Sequence, residues 1–372
     1  MKLKCGLMAA LVIAWIWSAS AVPAISDPST ANPKDGSAHF DAVTPDHSFS
    51  FPRDYGSHPA FRTEWWYVTG WLTTNQGETL GFQITFFRTN TGVAGDNPSS
   101  FTPRQLLIAH CALSDAKRGQ LWQDQRIRRA GLGLAEAGQQ DTDVWADDWS
   151  LKRESGVYNA KIVADQFGIN LQFETTQDPM PNGLGGFSRK GPSLPSASYY
   201  YSVPHLKVTG TIARQGRADP VSGEAWLDHE WSSEYLDSEA VGWDWIGINL
   251  DDGGALMAFR IRDSHGNSRW AGGTLRDSGG QVKVFDPADI GFRPRRRWVS
   301  PRTATAYPVQ ELIHVGSREF TLNPLIDDQE NDTRLTTGAI YWEGAVTAQE
   351  GNRVIGRGYL ELTGYGDRLR LR

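Results

Sequence analysis

Cysteine is nearly absent from this chain. Its 372 residues include only Cys5 and Cys111. Cys5 precedes an apolar run that reads as a removable leader, so the mature chain would keep one thiol and no internal disulfide. Histidine is sparse as well: none of the eight are paired at metal-ligand spacing. His58, His110, His205, His229 and His314 could converge only through the fold, so neither a metal nor a cofactor is expected. The sequence has no G-x-S-x-G elbow, no P-loop and no G-x-G-x-x-G, and HEWSS lacks the second histidine that a zincin helix needs four residues on. Positive charge is in deficit, with 37 Lys and Arg against 43 Asp and Glu for a net charge of −6. Losing Lys2 and Lys4 with the leader would make it two units more negative. Such a chain is a poor partner for nucleic acid or anionic lipid. Apolar residues spaced i, i+3, i+4 do not persist beyond about three turns, which excludes helix as the main element.

The one long apolar run, 7–17, follows Lys2 and Lys4 and ends at Ala19-Ser20-Ala21. It is shorter than the roughly 20 residues a membrane-crossing helix needs and has an A-x-A site, so 1–21 reads as a cleaved signal peptide. That implies a periplasmic or secreted protein with no integral membrane segment after cleavage.

Aromatics and turn formers are abundant: 15 Trp, 39 Gly and 19 Pro. They favour short strands joined by tight turns. Residues 22–50 are rich in Ser, Pro, Asp and Ala without apolar period and read as a flexible lead-in. From Phe51 onward, runs such as EWWYVTGWL, TLGFQITFFRT and QLLIAHCAL alternate with Gly, Asn and Asp turns. A second meander starts at GWDWIGINL and continues through ALMAFRIRD, SRWAGGTLR and QVKVFD. The expected fold is all-β, with two consecutive antiparallel barrels at 51–235 and 236–372. About eight strands close a barrel wide enough for one small ligand. Segment 180–205 reads as a packed loop, and RPRRRW at 293–298 as a solvated loop whose other reading is an anion clamp. Trp66 and Gly70 match Trp243 and Gly247 in spacing, which suggests two related units.

The chemistry concentrates in AWLDHEWSSEYL, 225–236. Strand alternation sends Asp228 and Glu230 to one face and His229 and Trp231 to the other, so only one pair can look into a barrel. A buried acid among tryptophans would have its pKa raised and could donate a proton, while ring faces would brace positive charge. Asp228, His229, Trp231 and Asp244 are therefore the candidate catalytic residues. Glu64, Trp65, Trp66, Glu230, Trp243, Trp245 and Tyr341 are the candidate ligand-binding set. Much of this tryptophan could equally be core packing, and Glu343 and Glu361 read as structural.

FRTEWWYVTGWL, AWLDHEWSS, GWDWIGINLDDG and GRGYLELTGY, in that order, resemble the secreted AttH-like proteins grouped with the carotenoid 1,2-hydratases (hydroxyneurosporene synthases). The resemblance runs from about Phe51 to the C-terminus. It implies two lipocalin-like (calycin-type) barrels and, for hydratase members, addition of water to a terminal double bond through a tertiary carbocation. The family's His-x-Trp motif matches His229 and Trp231. The acid that the hydratases carry on the following strand has no counterpart in ALMAFRIRD before Asp263. The barrel pair also resembles fungal lipocalin-like cyclases. The expected function is binding of an apolar isoprenoid, lipid or polyketide-like ligand in an aromatic cavity; whether hydratase or cyclase chemistry follows is left open by the sequence. The alternative is a non-catalytic lipid-handling component that partners an ABC-transporter permease.

Overall fold

The computed structural model describes residues 39–93, 99, 101–366 and 368. The leader at 1–21 and the lead-in up to residue 38 lie outside the described residues. The first sheet has 13 strands. In chain order these are β1 (Thr63–Thr74), β2 (Thr79–Asn90), β3 (Gln105–Asp115), β4 (Gln120–Arg129), β5 (Ala135–Ala137), β6 (Asp143–Ala146), β7 (Trp149–Glu154), β8 (Val157–Val163), β9 (Phe167–Glu174), β10 (Met180–Pro181), β11 (Phe187–Arg189), β12 (Ala197–Arg214) and β13 (Arg217–Ser232). The second has ten: β14 (Gly242–Leu250), β15 (Ala255–Arg262), β16 (Ser268–Arg276), β17 (Val282–Phe285), β18 (Ile290–Val299), β19 (Ala306–Val315), β20 (Arg318–Pro324), β21 (Glu330–Thr333), β22 (Ala339–Glu350) and β23 (Arg353–Thr363). All pairings are antiparallel, and the described residues contain only two short 3-10 turns besides strands. This is the expected all-β, two-barrel lipocalin-like architecture.

In the first sheet the order β4-β3-β2-β1-β13-β12-β9-β8-β7-β6-β5 curls until β3 and β4 lie against β5 and β6. In the second, β18 comes round to β15 and β16. β4 and β5 remain the edges of the first sheet and β17 and β18 those of the second, so the sheets curl toward closure without completing it by hydrogen bonds.

The two sheets meet along β1 and β13 on one side and β14, β22 and β23 on the other, and where they meet the strands are buried on both faces; on β13 this holds from Ala225 onward. On β1, Trp66, Val68 and Leu72 fill the first barrel, while Tyr67 and Trp71 face the second sheet. On β14, Ile246, Ile248 and Leu250 fill the second barrel, while Trp245 faces the first. Close approach of the sheets needs small residues: a Cβ on Gly81 of β2 would lie 2.6 Å from the Ala345 Cβ and 2.7 Å from the Tyr359 hydroxyl.

Three local expectations are corrected. RPRRRW is not a loop but most of β18, an edge strand whose arginines stay exposed. Register shifts on either side of Arg296 absorb the irregularity that Pro294 brings to its pairing with β19. The end of the lead-in is packed, because the rings of His47 and Phe49 lie against Trp231 and Tyr199 or Tyr201. Segment 180–205 is mostly strand, and its three tyrosines begin β12, each at most 5% exposed. The suggested internal repeat is not reflected in facing: Trp66 points into its own barrel, while Trp243 packs at the junction.

Candidate functional site

Both faces of 228–231 are buried, which resolves the alternation found in the sequence. His229 and Trp231 look into the first barrel. Asp228 and Glu230 look out of it, into a cleft between the sheets. In the β1–β13 register Asp228 lies opposite Tyr67 and Glu230 opposite Trp65. Antiparallel partners share a face, so the same strand pair supplies both the acids and their aromatic surroundings.

The deep end of the cleft, about 60 Å³, is lined by Trp65, Tyr67, Phe87, Tyr235, Trp243, Trp245 and Tyr341 together with Asp228, Glu230, Glu343 and Glu361. It shares Phe87, Trp243, Tyr341 and Glu361 with a wider, mostly apolar mouth of about 230 Å³, to which Leu106, Ile108, Ile127 and Ala339 contribute. His110 lines this mouth. One of its ring nitrogens meets the Tyr341 hydroxyl at 3.1 Å and the other Thr336 Oγ1 at 2.9 Å. Burial pushes its pKa down to about 3, so it is a neutral imidazole there.

The four acids differ in how they are held. Asp228 accepts from Trp226 Nε1 at 2.6 Å, Ser202 Oγ at 2.5 Å and Tyr200 OH at 2.8 Å. Tyr200 in turn accepts from Trp245 Nε1 at 2.9 Å. Burial raises the Asp228 pKa to about 7 even against those three donors. Glu230 forms an ion pair with the buried Lys190 at 2.8 Å, and burial raises its pKa against the pull of that lysine. Glu361 accepts one hydrogen bond, from Trp243 Nε1 at 2.9 Å. Burial raises its pKa to about 7, reinforced by the charges of Asp228 and Glu230. Glu343 sits directly across the β22–β23 register from Glu361, and its Oε1 has no hydrogen-bond partner. Burial and then Glu361 lift its pKa well above the carboxylate range. Two facing carboxyls in a low-dielectric site do not both ionise, so the Glu343/Glu361 pair retains at least one proton at neutral pH.

On the other face, His229 belongs to a separate network. Glu64 Oε1 lies 2.9 Å from His229 Nε2 and 2.7 Å from His58 Nδ1, and Arg88 Nε donates to Glu64 Oε2 at 2.7 Å. Burial would raise the Glu64 pKa, but Arg88, His58 and His229 together hold it well below the usual carboxylate range. Trp66 stacks on His229 at 4.7 Å and Trp231 on His58 at 3.7 Å.

Asp244 reaches neither place. It is the inward residue of β14, opposite in facing to Trp243 and Trp245. It is fixed by Arg260 Nε at 2.5 Å, Arg262 Nε at 2.9 Å and the Tyr365 hydroxyl at 3.0 Å. The structure thus splits the sequence-derived set three ways. Asp228, Glu230, Trp65, Trp243, Trp245 and Tyr341 line the cleft; Glu64, Trp66, His229 and Trp231 sit in the first barrel; Asp244 sits in the second. Removing one partner of a buried ion pair typically costs about 3–5 kcal/mol. Asp244→Ala is therefore expected to lower stability by that order in urea unfolding, while binding in the cleft, measured on the folded fraction, stays unchanged.

Sequence reasoning reads Glu343 and Glu361 as structural and passes over Tyr67, Tyr200, Tyr235 and Lys190 as site residues. Alternation carried a usable signal for the first two: on GAIYWEGAV, Glu343 shares a face with Tyr341, already in the candidate set. Nothing local marks Lys190.

A family model for AttH-like proteins matches residues 42–365. The chain belongs to the AttH-like family. A solved AttH protein (NE1406) from Nitrosomonas europaea is 51% identical, with a TM-score of 0.83 over 88% of this chain and 100% of that one. Kievitone hydratase from Nectria haematococca shares the fold at 15% identity, with a TM-score of 0.67 over 89% and 97% of the two chains. CghA, solved with Sch210972, superposes with a TM-score of 0.50 at 12% identity over 89% and 97%. No curated protein matches the chain. Placed on this AttH-like chain, the hydratase-type His-x-Trp positions, His229 and Trp231, belong to the interior of the first barrel, whereas the acids retaining a proton belong to the cleft. No helix among the described residues is long and apolar enough to cross a membrane.

Proposed function

We propose that the protein takes an apolar, unsaturated ligand of isoprenoid, lipid or polyketide-like type into the intersheet cleft and protonates it there, in a hydratase- or cyclase-type reaction. The observation that carries this reading is Glu361: a buried carboxyl whose pKa of about 7 leaves it substantially protonated at neutral pH, beside the rings of Trp243 and Tyr341. Protonation of a carbon–carbon double bond by Glu361 gives a carbocation, which the surrounding aromatic faces stabilise. In a hydration water adds to the cation and the resulting oxonium loses a proton; in a cyclisation a second double bond of the same ligand attacks it, and the new ring cation loses a proton from an adjacent carbon to form an alkene. The proton lost in that step returns to the Glu361 carboxylate. Asp228, with its three donors, and Glu230, with Lys190, are anchored groups that shape the field of the cleft. Family membership and the fold shared with kievitone hydratase agree with this chemistry. The reading of 1–21 as a leader would place it in the periplasm or outside the cell.

The experiment is incubation of the mature protein with acyclic isoprenoids and polyenes, followed by mass spectrometry of the products. Hydration adds the mass of one water, and cyclisation gives an isomer with altered retention. The apolar lining of the mouth favours one second reading, a carrier that holds a lipid for an envelope transporter. Retained ligand with no product from any substrate of this class would select it.

A further inference from the structure

The His58–Glu64–His229 cluster is not used by the chemistry proposed for the cleft. It lies on the opposite faces of β1 and β13, and its hydrogen bonds have a pattern of their own. Glu64 Oε2 is fully engaged, accepting the His58 backbone N–H at 2.8 Å and Arg88 Nε at 2.7 Å. His58 Nε2 is held by Asp54 Oδ1 at 3.2 Å. His229 Nδ1 faces the Asp54 carbonyl oxygen at 3.1 Å and the Tyr201 hydroxyl at 2.9 Å. A carbonyl oxygen only accepts, so Nδ1 donates to Asp54 when it carries the ring proton, and Nε2 then turns a lone pair toward Glu64.

With each outer atom occupied, three inner atoms remain: His58 Nδ1, His229 Nε2 and Glu64 Oε1. They lie within 4.8 Å of one another, and all three residues are buried. Without a cation, the cluster requires His58 to be doubly protonated between two carboxylates and His229 to keep its proton on Nε2, which leaves the Asp54 carbonyl facing an Nδ1 that can only accept, from Tyr201. A cation bound by the inner lone pairs removes that requirement. The outer partners also match the usual setting of ligating imidazoles, whose second ring N–H is oriented by a carboxylate or a backbone carbonyl. Asp54 supplies one of each.

We propose that His58 Nδ1, Glu64 Oε1 and His229 Nε2 bind a divalent first-row transition ion of the Zn²⁺ type, with Asp54 and Arg88 as positioning residues. This revises the expectation of a chain without metal, and it is independent of the function proposed for the cleft. Two imidazoles and one carboxylate form a ligand set that suits zinc. Ligand contacts of about 2.0–2.1 Å require the present 2.7 and 2.9 Å separations to open by roughly half an ångström. Zn²⁺ would then clamp the segment bearing Asp54 and His58 onto β1 and β13.

The test uses the untagged full-length protein, stripped with a chelator and titrated with Co²⁺ and Zn²⁺. Elemental analysis, ligand-field bands of Co²⁺ and the thermal midpoint are the readouts. The expected result is one equivalent bound, a higher midpoint with Zn²⁺, at least 100-fold weaker binding in His58→Gln and His229→Gln, and no change in His110→Gln. Asp54→Asn should weaken binding by roughly 10–100-fold, the usual effect of losing an outer-shell partner. Absence of stoichiometric uptake by the wild type overturns the proposal, and so does uptake unchanged in His58→Gln and His229→Gln. If these variants misfold, X-ray absorption of the Co²⁺-loaded wild type decides the matter: imidazole outer-shell scattering supports the site, and its absence overturns it.

Discussion

Glu361→Gln is expected to reduce turnover by roughly 10²–10⁴-fold, the usual range for loss of a general acid, while ligand affinity changes only a few-fold. The amide keeps the acceptor for Trp243 Nε1 and nearly the same volume, so the cleft stays filled and hydrogen-bonded; what disappears is the proton. The pH profile of the wild type follows from the same group. Glu361 acts in its protonated form and has a pKa of about 7, so activity is lost as pH rises through about 7. It should be retained at lower pH for as long as the fold persists. Asp228→Asn should cost less. Asp228 is held by three donors, and the variant would disturb their geometry without removing the proton that Glu361 carries. Rates measured across pH 5 to 9, together with binding by tryptophan fluorescence, separate these effects. Equal losses in binding and turnover would point to a packing role for Glu361.

Arg88→Met is expected to lower the stability of the metal-free protein by about 3–5 kcal/mol, because it removes the guanidinium partner of the buried Glu64. Arg88 is 0% exposed and also donates to the backbone oxygens of His58 and Phe61 at 2.9 Å, so the loss spreads to the turn that precedes β1. The pH dependence has a definite sign. The folded-state pKa of Glu64 is depressed, so its contribution to stability is present above the ordinary glutamate value, about 4.3, and is lost as pH falls through the folded value. Removing Arg88 raises that folded value, so the acid loss of stability should begin at higher pH in the variant. Urea unfolding at a series of pH values reads both the size and the shift.

Strand alternation makes part of this site legible in the amino-acid sequence. It separates Asp228 and Glu230 from His229 and Trp231, a division that the structure retains. It does not say that both faces are buried, because β13 has the first barrel behind it and the second sheet in front, a fact of assembly and not of sequence period. The same alternation, applied to GWDWIG, turns Asp244 away from Trp243 and Trp245. Naming Asp244 as a catalytic candidate beside Asp228 set that alternation aside, and Asp244 is instead held by Arg260 and Arg262. Glu343 and Glu361 read as structural because single acids within apolar strands look like ordinary surface residues until a partner sheet covers them. His58 lies in an irregular turn with no period, so its meeting with His229 depends on how the end of the lead-in packs against Trp231. RPRRRW misled because a charge run with prolines imitates a loop, while an exposed edge strand tolerates both.

The central claim, that the intersheet cleft holds an apolar ligand, is tested most directly by native mass spectrometry of the purified protein beside Ala339→Trp, in which a large ring fills the mouth between the sheets. The wild type should carry an apolar molecule that is released on unfolding, and the variant, with an unchanged circular dichroism spectrum, should carry none. An equal load in the two proteins would place the ligand elsewhere, and a wild type that neither carries nor takes up any isoprenoid, lipid or polyketide-like molecule would contradict the account.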